Sequence, residues 1–248
     1  MKLRYRKPKI FDQFTEVVAA ESLRHGGVST VPFSSLNLSY GTDDMDNNID
    51  NNRTLFFKDL NISVDQVAGS FQVHGSGIIK VTEAGFHRGY DALITNQINV
   101  CLNITIADCT PILIYDPVQK VVAAAHAGWR GTVGKIGRKT LQMMASDYNV
   151  NPVDCYAYIG TCISSESFEV DADVADHFED SFKVWDESRG KFLVDLKSHN
   201  KKQLTDLGLP ETQIEVSSYC TVKDNDDYFS HRKEKGKTGR SLAVIMMR

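Results

Sequence analysis

The chain has no Cys-x-x-Cys pair, no long apolar run, no low-complexity stretch and no excess of basic charge, and each absence removes a class of function. Its five cysteines, Cys101, Cys109, Cys155, Cys162 and Cys220, are odd in number and widely spaced, which argues against a disulfide framework and turns attention to metal or nucleophile roles. A formal net charge of -4 provides no global basic field, so the surface as a whole is not a nucleic-acid platform. No run approaches a membrane span. The basic N-terminal residues Lys2, Arg4, Arg6, Lys7 and Lys9 lack the apolar core of about 7 to 15 residues that a signal peptide needs, so the expected location is the cytoplasm. With no linker, strong repeat or composition shift, residues 1–248 are expected to form one domain, and nothing predicts an obligate protein partner.

Two short motifs also fail. Asp44-Met45-Asp46 begins like a calcium loop, but Ile49 stands where glycine is needed and Leu55 where glutamate is needed. The Asp and Asn residues of this run are expected instead to cap a helix reaching Leu60. Gly134-Lys135 is followed by Ile136 and lies one residue too far from Gly128 for a phosphate-binding P-loop.

What is present is a chain long enough for a sizeable core, with 42% hydrophobic and 24% charged residues. Strand and helix patterns alternate, which predicts an α/β (α+β) fold of mixed β-sheets layered with helices. Two short strands flank His74-Gly75-Ser76-Gly77. Asp91-Ala92-Leu93-Ile94-Thr95 and Val100 to Ile106 follow, the latter alternating Leu102, Ile104 and Ile106 with Asn103 and Thr105 as a half-buried strand does. Cys155 to Ile159, Gln213 to Tyr219 and Leu242 to Met247 also read as strands. Helices are expected from Thr132 to Tyr148, from Asp171 to Phe182, and from Asp195 to a stop at Gly208-Leu209-Pro210. Phe229 to Arg240 has the composition of a solvated basic loop, and the paired glycines of Arg24 to Ser29 allow a close backbone approach.

The stretch Ala107 to Thr132 carries the chemistry. Pro111 to Tyr115 and Val121 to Ala125 form a β-hairpin around Asp116 to Lys120. Pairing Tyr115 with Val121 sets Cys109 opposite Ala127, and a one-residue change of turn sets it opposite His126. Opposed side chains lie roughly 4.5 to 5.5 Å apart, so a thiolate and an imidazole are expected side by side. Thr132 would cap the following helix, leaving Gly128-Trp129-Arg130-Gly131 as a loop before a helix N-terminus that favours an anion. His74, Cys109 and His126 together are good ligands for a borderline-soft divalent ion, and three protein ligands leave a fourth position open. On spacing alone, a metal-free Cys109–His126 nucleophile and base pair fits equally well.

Gln72-Val73-His74-Gly75, Asp91 to Thr95, Ala107-Asp108-Cys109-Thr110-Pro111, His126-Ala127-Gly128-Trp129-Arg130-Gly131 and Ile159-Gly160 together resemble the YfiH-like family. That family is also called the laccase-domain or multicopper polyphenol oxidase family and is associated with purine nucleoside metabolism. Arg24 to Ser29, Ser35-Leu36-Asn37, Asn52-Arg53 and the Ser230 to Arg240 loop match as well, so the resemblance spans nearly the whole chain. It departs at Thr161, where proline is usual, and at His231, where tyrosine is usual.

The resemblance implies the CNF1/YfiH-like cysteine-hydrolase fold and a catalytic zinc on His74, Cys109 and His126, with copper less favoured. It implies phosphorolysis of adenosine, inosine, guanosine and S-methyl-5′-thioadenosine, with adenosine deamination as a second activity, and small-molecule nucleosides and phosphate as the partners. Zinc can activate water for attack at C6 of adenine. Arg53, Asn37, Arg130 and Arg232 are the candidate substrate- and phosphate-binding residues, the anion seat being completed by the Gly128 to Thr132 segment. Asp108 is the candidate for proton transfer or orientation, set against a role in capping nearby amides. Two other activities are compatible with the family. A laccase needs several copper centres, whereas this chain has seven histidines and no His-x-His pair. An amidase that edits peptidoglycan precursors by removing L-serine from UDP-MurNAc-L-serine would use the same three ligands.

Overall fold

A computed structural model describes residues 3–248; Met1 and Lys2, the latter part of the basic N-terminal run, lie outside it. In chain order, strands β1 (Tyr5–Arg6) and β2 (Val17–Ser22) precede helix α1 (Asp46–Asp59). Next come β3 (Val67–Phe71), β4 (Ile78–Lys80), β5 (Gly85–Arg88), β6 (Ala92–Thr95), β7 (Cys101–Ile106), β8 (Thr110–Asp116) and β9 (Val121–Ala127). Helices α2 (Trp129–Val133) and α3 (Ile136–Tyr148) lead to β10 (Tyr156–Ile159), β11 (Glu169–Val170) and α4 (Ala172–Ala175). The chain ends with β12 (Lys183–Asp186), β13 (Lys191–Val194), α5 (Leu196–Thr205), β14 (Ile214–Val216) and β15 (Ser241–Met247).

Two mixed six-stranded sheets stack face to face, ordered β1-β2-β15-β7-β3-β5 and β14-β10-β8-β9-β6-β4. Leu102, Ile104 and Ile245 of the first sheet meet Leu113, Val122 and Ala124 of the second in one core. The outer face of the first sheet buries Cys101, Val244 and Met246 against Phe56 and Phe57 of α1. The outer face of the second buries Ile112, Ile114 and Ala123 against Ile136, Leu141 and Met144 of α3 and Leu204 of α5. The expected mixed sheets layered with helices are thus present, as four layers. A three-stranded sheet, β11-β13-β12, packs separately around Phe168, Phe178 and Val194.

Covering both faces of both sheets corrects one expectation: β7 is buried on both sides except at Thr105, with Asn103 bonded to the Ala68 carbonyl at 2.8 Å. The single helix from Thr132 to Tyr148 is also corrected. Gly128 occupies the N-cap, α2 already begins at Trp129, and Lys135 adopts a left-handed conformation (φ 60°) that separates α2 from α3. Thr132 lies inside α2, where its hydroxyl accepts from Asn200 Nδ2 at 2.9 Å. The Asp171 to Phe182 helix is reduced to the four residues of α4 and a later 3-10 turn. At α1 the N-cap is Met45, while Asp44 just before it accepts from the Met45 amide and the Asn48 side chain. The close approach at Gly27 is present: a Cβ there would fall 2.2 Å from the Ser35 carbonyl.

The crossings between sheets position everything that follows. Strands β3, β5 and β7 run parallel in the first sheet, and each continues directly into β4, β6 or β8 of the second. All three links therefore emerge at the same end of the sandwich. They carry His74, Asp91 and Cys109. Strand β9, antiparallel to both β6 and β8, brings His126 back to that end.

Candidate metal centre and its cavity

His74, Cys109 and His126 each offer a ligand atom, and the three atoms lie within 4.8 Å of one another. The two imidazoles meet edge to face, with centroids 4.9 Å apart. Donor burial is graded: His126 is buried, Cys109 intermediate and His74 exposed, so the group is open on the His74 side.

The hairpin delivers two of the donors, but not in the expected register. Tyr115 pairs with Val122 and Pro111 with His126. The turn is tighter than anticipated because Asp116 Oδ1 accepts from the Val118 amide at 2.7 Å, which brings Asp116 itself into the ladder opposite Val121. Cys109 therefore precedes the first ladder pair and faces Gly128, whose missing side chain makes the room. A Cβ on Gly128 would lie 3.1 Å from Cys109 Sγ, 3.4 Å from His74 Cδ2 and 3.9 Å from His126 Cε1. All three donors surround one position that only glycine leaves free.

A single carboxylate organises both histidines. Asp91 is fully buried; its Oδ1 lies 2.9 Å from His126 Nδ1 and accepts from the His74 amide at 3.0 Å. Its Oδ2 accepts from the Gly75 amide at 2.8 Å and the Val73 amide at 3.3 Å. The His126 amide donates to the Asp91 carbonyl at 2.7 Å. Engaging His126 at Nδ1 leaves Nε2 for an ion, the arrangement that fixes ring orientation in metal-binding histidines. Gripping three successive amides holds His74 in its left-handed conformation, φ 58°. Burial works against the Asp91 carboxylate, yet the bonds to His126 and the amides keep it below its ordinary pKa.

Without an ion, the same packing charges the pair. Burial opposes the Cys109 thiolate, but His126 and His74 outweigh it and lower the thiol to about 6. Burial likewise opposes the His126 imidazolium, and Cys109 and Asp91 raise it to about 9. Two imidazoles, an available thiolate, the Asp91 carboxylate that orients His126 and His74, and a cradle at Gly128 fit a tetrahedral ion with one open position.

The donors open into a cavity of about 1100 Å³. Its wall includes the rings of Tyr40, Phe71, Phe86, Trp129 and Phe168 and the guanidiniums of Arg53, Arg88, Arg232 and Arg240.

The sequence profile of the family described as multi-copper polyphenol oxidoreductase laccase matches residues 18–248. The chain belongs to this family. The protein named purine nucleoside phosphorylase YlmD from Bacillus subtilis is 35% identical over 248 residues, covering 94% of this chain and 89% of its own. Purine nucleoside phosphorylase YfiH from Escherichia coli is 31% identical, covering 93% and 94%. The crystal structure of YlmD from Geobacillus stearothermophilus superposes with a TM-score of 0.93 at 33% identity, over 100% of this chain and 97% of that one. The resemblance to YfiH-like proteins stands, and laccase-family relatives named as phosphorylases support an enzyme.

Of the laccase-family candidates, Arg53 and Arg232 reach the cavity, and Arg130 and Asn37 do not. Arg130 is exposed and stacks on the Trp129 ring at 4.1 Å. Asn37 is fully buried and acts through others: its Oδ1 accepts from the Arg240 amide at 2.9 Å, and its Nδ2 donates to Asp44 and Thr42. Asp108 adopts φ 85° at the cavity wall, and its carboxylate is occupied. It accepts from Thr221 Oγ1 at 2.5 Å, Ser230 Oγ at 2.7 Å and the Arg232 amide at 2.6 Å.

Asp108 thereby seats the Ser230 to Arg240 loop against the site, so that segment is not simply solvated. Ser230 and Thr238 are buried, and Glu234 pairs with Arg24 at 3.0 Å. Both departures from the family pattern have visible places. Thr161 donates its amide and hydroxyl to the buried Glu21 at 2.7 and 2.8 Å, bonds that proline cannot make. His231 lines the cavity. Sequence reasoning missed Asp91 and Arg240 as site residues, although each is a charged side chain directly before an apolar strand, a position where the charge is carried toward the core and needs compensation.

Proposed function

We propose that the chain is a zinc-dependent purine nucleoside phosphorylase acting on adenosine, inosine, guanosine and S-methyl-5′-thioadenosine in the cytoplasm, with adenosine deamination as a second activity. The observation that carries this reading is the position of the His74–Cys109–His126 group. It opens on a cavity whose wall combines aromatic rings with guanidiniums. A cavity of about 1100 Å³ accommodates a nucleoside together with a small anion. Tyr40, Phe71 and Phe86 expose ring surface on which a purine can stack, and the arginines neutralise a phosphate. Asp91 holds His126 and His74 in their liganding orientation. Zinc, when bound, supplies a Lewis acid that can polarise an oxygen or activate water.

The distribution of histidines supports one metal centre rather than several. His25 pairs with Asp227, His87 lies on the edge strand β5, His177 stacks on Trp129, His199 packs against Phe178 and Phe182, and His231 lies on the cavity wall. Only His74 and His126 share a group of three donors among the described residues. The test is incubation of zinc-loaded protein with adenosine and phosphate. Adenine and ribose 1-phosphate should form, together with inosine. Absence of all three products with stoichiometric zinc present would overturn the reading, and release of L-serine from UDP-MurNAc-L-serine would replace it with precursor editing.

A further inference from the structure

Of the arginines on the cavity wall, two lack an acidic partner while facing inward. Arg53 comes from α1, and the only hydrogen bond of its side chain among the described residues runs from Nη1 to the Leu38 carbonyl at 3.0 Å. Arg240 stands at the entry to β15, and its Nη1 donates to the carbonyls of Thr238 and Gly239 at 2.8 and 2.9 Å. Neither forms an ion pair with a described residue. The carboxylates whose charge acts on them, Asp50 on Arg53 and Asp108 and Glu234 on Arg240, are engaged elsewhere. Asp50 accepts from the Tyr40 hydroxyl at 2.5 Å, Asp108 is held by Thr221, Ser230 and the Arg232 amide, and Glu234 is taken by Arg24 and Thr238. Each guanidinium keeps most of its five donors free.

The two arginines are held to each other through one residue. The Leu38 amide donates to the Arg240 carbonyl at 3.0 Å, and the Leu38 carbonyl accepts from Arg53. Asn37 receives the Arg240 amide, so the buried asparagine fixes this junction rather than touching a ligand. Burial lowers the pKa of both guanidiniums, a cost that a bound anion would offset. The other cations differ. Arg232 donates to the Glu169 carbonyl at 3.1 Å and lies 3.9 Å from its carboxylate, while Arg88 is exposed on the edge strand β5. The expected seat at the start of α2 is a five-residue helix whose Arg130 faces away from the cavity onto Trp129.

We propose that Arg53 and Arg240 form the anion seat of the cavity and take inorganic phosphate, or the phosphoryl group of an ester. Its use as the phosphorolysis site rests on the proposed function; anion binding itself does not. The seat places the phosphate requirement on the α1 and β15 side of the cavity, with the Ser39 to Gly41 segment beside it.

The experiment titrates inorganic phosphate into zinc-loaded wild type, R240Q, R53Q and R130Q, followed by ³¹P line broadening, and measures KM for phosphate and for nucleoside. Loss of one guanidinium should weaken phosphate by about 10- to 100-fold in both readouts. Nucleoside KM should stay within about twofold and zinc content should hold. R240K and R53K, which keep the charge, should recover part of the affinity, and they carry the test if a glutamine variant does not fold. Wild type that binds phosphate through these arginines without phosphorolysis would leave the seat standing and remove the proposed reaction. Phosphorolysis with an unchanged phosphate KM in R240Q and R53Q, a wild type that binds no phosphate, or a loss confined to R130Q would each overturn the seat.

Discussion

Replacing Gly128 by alanine isolates the donor group with a single methyl. The backbone at Gly128, φ −65° and ψ 175°, is open to any residue, so the substitution brings no conformational strain. Its effect on the folded protein is the contact the methyl makes. At 3.1 Å from Cys109 Sγ it stands inside the relaxed non-bonded separation of about 3.5 to 4.0 Å, so the sulfur must retreat by roughly half an ångström. His74 Cδ2, at 3.4 Å, must also yield slightly. Metal sites tolerate ligand displacements of only about 0.2 Å, so zinc affinity should fall about tenfold or more, equivalent to roughly 1.4 kcal/mol or above. Metal-free stability should change by about 1 kcal/mol or less, because the reduced freedom of the unfolded chain offsets part of the crowding. Competition with a chromophoric chelator gives the first quantity and chemical denaturation of metal-stripped protein the second. Wild-type zinc affinity in G128A, or a loss explained by an unfolded metal-free state, would refute the placement of the ion between these three donors.

The other predictions concern the groups around that centre. D91N keeps the size of the side chain but cannot satisfy His126 and three amides as a carboxylate does. Its zinc affinity should drop about 10- to 100-fold, and unchanged affinity in chelator competition would contradict the role of Asp91 in orienting the two histidines. In metal-stripped protein the Cys109 thiolate should persist at neutral pH and be protonated as pH falls through about 6, because His126 lowers its pKa. Ultraviolet thiolate absorbance checks this, and a C109A-sensitive midpoint near the ordinary thiol value would oppose it. T161V removes the hydroxyl bonds to Glu21 and Ser217 and should cost about 1 to 3 kcal/mol of unfolding free energy, a cost that denaturant titration would show to be absent if the Glu21 network were idle.

Two of the three candidate donors were legible because the hairpin is local: two apolar runs around a Pro-containing turn bring Cys109 and His126 to the same end whatever the register, whereas His74 lies outside the hairpin and was joined to them by the family resemblance. The register itself was not legible. It depends on Asp116 folding back onto the Val118 amide, a side-chain choice that shortens the turn by one residue. The role of Asp91 was hidden for a different reason. Its partners His74 and His126 lie 17 and 35 residues away and meet it only because three successive crossings between sheets emerge at one end. The same long-range geometry hid the anion seat, since Arg53 on α1 and Arg240 before β15 are joined through Leu38. Burial of β7 on both faces escaped notice because Asn103, which reads as a solvent-facing position, spends its side chain on the neighbouring strand.

The most direct test of the central claim is a zinc add-back. Protein stripped of metal and given adenosine with phosphate should yield no ribose 1-phosphate. Activity should then rise in proportion to added zinc and level off at about one ion per chain, as three clustered ligands imply, while C109A neither retains zinc nor gains activity. Full phosphorolysis by metal-stripped wild type in the presence of chelator would contradict it.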